Sequence, residues 1–221
     1  MGFGVRSRIP LLVFPLALHC VLAQGADLRG EAQLLQSKPD ISLAGDFEFN
    51  ARPVIVDALL TSPMIVARLW EAHGFTPRYR ARLQGDGIHV VDPTGIEGDL
   101  YLAEQTGNRR VWVGFGSLNH SLVPSFKGRM ALVLITTPKG SGVSAHVALY
   151  IRTDSRALGF LASTLFPLVK ARVQHRVTAN AADVGTILAE VSADPQKAAA
   201  HLSHDDAAAL LRATMPSATS K

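Results

Sequence analysis

The 221-residue chain contains one cysteine, Cys20. It can form no intramolecular disulfide and no cysteine-based zinc centre. Charged residues are only 18% and aromatic residues 6% of the chain, which excludes a coiled coil. Apolar residues reach 48%, too many for a disordered chain and enough to bury a core. Motifs for nucleotide or nucleophile chemistry are also missing. There is no Walker loop and no G-x-S-x-G elbow. Gly114-Phe115-Gly116-Ser117-Leu118-Asn119 has two glycines of a dinucleotide loop but lacks the third, and it falls inside a predicted strand. Glycines there are expected to allow close packing or bending. No cofactor is implied.

What is present begins with a targeting pattern. Residues 1–23 combine Arg6 and Arg8, an apolar stretch over 9–18, and Val21-Leu22-Ala23 with small residues at the −3 and −1 positions. That is the three-part form of a secretory signal peptide. The apolar stretch is shorter than the about 20 residues of a membrane span, and Pro10 and Pro15 interrupt it. Cleavage after Ala23 removes two arginines and no carboxylate, so the formal charge falls from +4 to +2. The expected location is secreted or periplasmic; an uncleaved segment would instead be a membrane anchor. No cysteine nucleophile remains after cleavage. Cys20 follows His19 and not the small residue a lipidated cysteine requires. At +2 the chain gives no reason to expect a nucleic-acid partner.

Residues 24–45 read as a polar leader with a short helix near 31–36. From Asp46 the pattern sharpens. Phe47, Phe49 and Ala51 alternate with polar residues, the period of a half-buried strand. Helices are predicted over 54–60 and 63–73, the second opened by Pro63 and closed by Gly74. Six strands follow, over 78–84, 88–92, 96–103, 109–118, 126–137 and 143–152. Turn residues such as Gly85-Asp86-Gly87 and Thr106-Gly107-Asn108 separate them. Consecutive hairpins predict an antiparallel sheet of about seven strands. After Asp154 the period becomes 3.6, and one long helix is predicted to 192, kinked at Pro167 and around 178–182. A short helix opens at Asp194-Pro195, and Ser203-His204-Asp205-Asp206 resembles a capping box for another. Residues 193–221 thus form a helical tail with a frayed end.

The order of strand, two short helices, six antiparallel strands and long helix predicts an α+β fold of the helix-grip kind. On that order, residues 46–192 resemble the START-like (SRPBCC) superfamily, which includes polyketide cyclase-like proteins, lipid-transfer domains and plant pathogenesis-related allergens. The resemblance implies a hydrophobic small molecule or lipid held between sheet and helix.

Strand phase bears on the chemistry of that space. Asp46, Glu48, Glu97 and Asp99 lie out of phase with the apolar residues, as do Arg78, Arg80 and Arg82. The inner phase carries Phe47, Phe49, Tyr79, Leu83, Val90, Leu100 and Leu102, with Trp112 on the next strand. Leu161, Leu165 and Val169 are expected to close the space from the helix. These residues are the candidate ligand-binding set. The inner face carries almost no acid or base, and general acid–base catalysis needs one in the pocket. The expectation is a non-catalytic binding protein. An enzyme of the cyclase or hydrolase kind would have to use Tyr79, His89, Trp112 or Asn119 with His120. A third alternative is a structural or interaction protein of the envelope, docking through its tail.

His201, His204, Asp205 and Asp206 have ligand-like side chains, but they read as capping and solvated residues, so no metal site is assigned. Arg109 and Arg110, just after a turn, read as solvated. Arg152, Arg156, Lys170, Arg172 and Arg176 form a loose basic run, which supports at most a peripheral contact with anionic lipid head groups.

Overall fold

The computed structural model describes residues 27–120, 123–154 and 156–215; the side chains of 120, 123, 124, 126 and 156–173 lie outside that description. Alternating segments pair into one antiparallel sheet. Its strands are β1 (Ile41–Phe49), β2 (Arg80–Gln84), β3 (Gly87–Val91), β4 (Ile96–Thr106), β5 (Arg109–His120), β6 (Val123–Lys139) and β7 (Gly142–Thr153). Their spatial order is β1-β7-β6-β5-β4-β3-β2. Strands β2 to β7 are sequential hairpins, because tight turns allow only antiparallel neighbours. The β2–β3 turn needs a residue at φ +57°, which Gly85 supplies. A Cβ on Gly116 would meet the Glu97 carbonyl oxygen at 2.5 Å, so the glycine lets β4 and β5 approach.

Among the described residues six helices accompany the sheet. They are α1 (Leu28–Ser37), α2 (Pro53–Thr61), α3 (Pro63–Ala72), α4 (Arg156–Ala193), α5 (Pro195–Ala199) and α6 (His204–Thr214). Proline opens α2, α3 and α5, where its missing N–H costs nothing. Helices α2 and α3 turn by 96° at Ser62 and carry the chain from one sheet edge to the other. Helix α4 continues as one element of 38 residues through Pro167 and residues 178–182. Asp194 caps α5, accepting from the Lys197 N–H at 3.0 Å. The Ser203 hydroxyl likewise accepts from the Asp206 N–H at 3.3 Å to cap α6. Asp206 also pairs with Arg68 at 2.9 Å. Among the described residues, no three His, Cys, Asp or Glu side chains form a group that could hold a metal. No single described helix is long and apolar enough to cross a membrane.

The predicted α+β order is present, and the structure corrects its edges. The boundary drawn at Asp46 falls inside β1, which starts at Ile41. Residues 28–37 are no leader: α1 lies across the outer face of the sheet. Its Ala32 and Leu35 are buried with Val111, Val113, Ala131, Val133 and Ala148. The polarity of residues 24–45 misleads because the helix is amphipathic: its apolar stripe packs on the sheet and polar side chains at its rim pair with sheet arginines. Glu31 pairs with Arg129 at 3.0 Å, and Arg109 donates to the Gln36 side chain at 3.1 Å. The tail is no free extension either. Ala198 and Leu210 are buried in the core formed by α2, α3 and the C-terminal half of α4, with Ile55, Leu59, Leu69 and Ile187. Arg52 donates to the Thr214 carbonyl at 3.2 Å.

Candidate functional site

Strand register determines which side chains share a face. Phe47 stands opposite Ala145, Val147 opposite Leu134, and Leu149 opposite Leu132. With Leu43 and Phe49 they make an apolar floor on the inner face of β1, β7 and β6. Helix α4 crosses above with Gln174, Val177, Ala181, Val184 and Leu188, spaced by three and four residues and so on one stripe. Val56, Leu59 and Leu60 of α2 and Val66 of α3 close one end. Between them lies a cavity of about 320 Å³. That is near the lower end of the ~300–1,000 Å³ typical of ligand pockets. Among the described residues its wall holds no titratable side chain; Gln174 and Asn180 are its polar groups.

Of the candidate residues, Phe47 and Phe49 line this cavity. Tyr79 stands beside it. Its ring packs on Trp70 with centroids 5.5 Å apart, and Trp70 is itself held by donation from its Nε1 to the Pro77 carbonyl at 3.0 Å. The Tyr79 hydroxyl accepts from Asn180 Nδ2 at 3.0 Å. Burial pushes the Tyr79 hydroxyl above its ordinary pKa of 10.0, against the pull of Asn180. It therefore stays protonated at physiological pH.

Val90, Leu100, Leu102 and Trp112 share the inner face, paired through β3, β4 and β5, but the described cavity wall does not include them. Leu83 shares the face too, yet it is 71% exposed, because β2 is the short edge strand. The side chains of Leu161, Leu165 and Val169 lie outside the described residues. Asn180 and Gln174 carry no motif and were not expected. Their only sequence signal is two amides on the α4 stripe.

The candidates for acid–base chemistry disperse. The His89 ring lies on the outer face, its Nδ1 2.8 Å from Asp99 Oδ1 and its Nε2 3.2 Å from Glu97 Oε1. His146 is also outside, 2.8 Å from Asp46. Asn119 is exposed and donates to Ser117 at 3.4 Å.

Arg110 departs most from expectation. Its place after a turn predicts a solvated side chain, yet it is 1% exposed. The reason is phase: Arg110 alternates with Val111 and shares the inner face with Trp112, where α2 covers it. Its Nη2 donates to Asp57 Oδ1, and Thr61 Oγ1 lies 3.4 Å away. Nε and Nη1 have no partner. A buried guanidinium is costly unless paired, so Asp57 makes its burial tolerable. Arg110 is not part of the described cavity wall.

No family model and no curated protein matches the chain. Among solved structures it is similar to the Mll3558 protein from Rhizobium loti, with 14% identity and a TM-score of 0.42, covering 65% of this chain and 96% of that one. It is also similar to a protein from Arthrobacter aurescens solved by NMR, with 11% identity and a TM-score of 0.46, covering 75% and 91%. CalU16 from Micromonospora echinospora is similar with 12% identity and a TM-score of 0.31, covering 69% and 86%.

Proposed function

We propose that this chain is an exported, START-like protein that binds a hydrophobic small molecule or lipid without converting it. The observation that carries the reading is the 320 Å³ cavity under α4, walled by leucine, valine, alanine and phenylalanine. The cavity is partly open to solvent, so its apolar wall is a concave surface that a ligand can enter. An apolar void favours an apolar occupant, because its lining offers water too few hydrogen bonds. The helix-grip order supports the START-like part, and the pattern of residues 1–23 supports export. Conversion of the ligand would need a proton donor or acceptor at the site. Tyr79, which stands beside the cavity, is held in its neutral form.

Native mass spectrometry of the purified protein, with solvent extraction, is the direct test. The expected result is an extractable apolar ligand, or uptake of a fluorescent fatty acid. Ala181→Leu fills the cavity and should weaken uptake at least tenfold while leaving the melting temperature unchanged or higher. A protein with no ligand and no uptake would end this reading.

A further inference from the structure

The cavity under α4 is long rather than round. Along the helix its wall runs from Gln174 to Leu188, about 21 Å at ~1.5 Å per residue. A volume of about 320 Å³ spread along that wall leaves the width of one hydrocarbon chain, not of two chains or a fused ring system. The two ends of the stripe differ. Leu188, Val56 and Leu59 are each 2% exposed and pack in one buried cluster, so that end is sealed. Gln174, at the other end, is half-buried, as is Val177 one turn on. We propose that the site holds a single unbranched alkyl chain of about ten carbons, methyl end first, and that chain length rather than head group sets its affinity.

This rests on the binding function proposed above and adds the class of ligand. The length follows from the volume. At the ~30 Å³ that a water-sized group occupies in a liquid, 320 Å³ takes about ten methylenes. Each methylene moved from water into the apolar wall strengthens binding about fourfold. That gain ends where the chain meets Leu188, Val56 and Leu59, and any further carbon stays in water. The indifference to head group follows from the wall. Among the described residues it holds no titratable side chain, so no charge complements a carboxylate. Its polar groups, Gln174 and Asn180, are neutral amides with both donors and an acceptor, and such a group does not separate a hydroxyl from a carboxylate.

Displacement of a fluorescent apolar dye at pH 8 can rank hexanoate, octanoate, decanoate, dodecanoate and tetradecanoate, the matching alcohols, and the four-ring deoxycholate. Affinity should climb about fourfold per methylene from hexanoate to decanoate and then level, with tetradecanoate within about threefold of decanoate. The alcohols should break at the same length and stay within about tenfold of the matching alkanoates. Deoxycholate should bind at least about tenfold more weakly than decanoate. Leu188→Ala takes three carbons from the sealed end and should move the break to longer chains; Val56→Ala is the milder form of the same change. If affinity keeps climbing through tetradecanoate, if one head group wins by more than tenfold at equal length, or if deoxycholate matches decanoate, the inference is overturned and the binding function stands. A break that moves in neither variant also overturns it, and should both variants fail to fold, the wild-type series decides alone. If none of the probes displaces the dye and the protein yields no extractable ligand, both readings fall.

Discussion

The two faces of the sheet are built from similar residues and do different work. On the outer face, Val111, Val113, Ala131, Val133 and Ala148 meet Ala32 and Leu35 of α1 and are fully buried. Small side chains let the helix sit close, and the side chains at its rim are clamped by Glu31–Arg129 and Gln36–Arg109 contacts. On the inner face, Leu132, Leu134, Val147 and Leu149 meet a longer helix across a gap of about 320 Å³. A face packed to completion contributes stability. A face that is apolar but unfilled contributes less, and retains room for a ligand. The difference places the packed core on one side of the sheet and the cavity on the other.

The largest expected effect tests the end of the inner face that is filled. Asp57→Ala leaves the buried Arg110 guanidinium without its carboxylate and should cost about 3 kcal/mol in urea denaturation. Adding Arg110→Leu should recover most of that loss, since an apolar replacement needs no partner. A single-variant loss under about 0.5 kcal/mol would mean that solvent reaches Arg110.

One substitution made on both faces is the sharper comparison. Val113→Ala, on the packed side, should cost about 2–3 kcal/mol, from the lost methyl groups plus the cavity they leave. Val177→Ala, in the cavity wall, should cost under about 1 kcal/mol, because its contacts are already incomplete. Val177→Ala should alter ligand affinity and Val113→Ala should not. Equal losses at the two sites would erase the distinction between the faces.

The smallest effects are pH-dependent and fall on opposite arms. Burial raises the Tyr79 pKa in the folded chain, with Asn180 opposing. Its contribution is fully present below the unfolded value near pH 10 and is lost as pH rises through the folded value. Tyr79→Phe should flatten the alkaline side of a stability profile. On the outer face the Arg109 guanidinium holds the Glu104 carboxyl below its ordinary value. That contribution is present above the unfolded value near pH 4 and is lost as pH falls through the folded one. Arg109→Ala should flatten the acid side slightly, as the pair is partly exposed. Thermal melts across the two ranges would show it, and no change in either slope would remove both assignments.

Much of the frame was legible because its signals are local. Alternation marked the strands, and glycine turns marked the hairpins. Ser203, Asp194 and Pro63 marked helix starts, since caps act within one turn. The second apolar layer was also written in the sequence, in a form easily passed over. Strands β5 and β6 contain Val111-Trp112-Val113 and Ala131-Leu132-Val133-Leu134-Ile135, apolar in both phases, and such runs belong to strands covered on both sides. Arg110 was legible by phase too, had its alternation with Val111 outweighed its place after a turn.

Sequence alone determined the elements, their order, the antiparallel pairing and the inner phase of Phe47 and Phe49, because periodicity and turn chemistry depend on neighbours within a few residues. Only the tertiary structure decided that α1 covers the outer face, that α5 and α6 return to the core, and that Asp57 lies against Arg110, 53 residues away. It alone set Asn180 against Tyr79, 101 residues apart, with one amide atom left unpaired. Such meetings depend on how whole elements pack, and no local period encodes the distance between two surfaces that the chain brings together only when it folds.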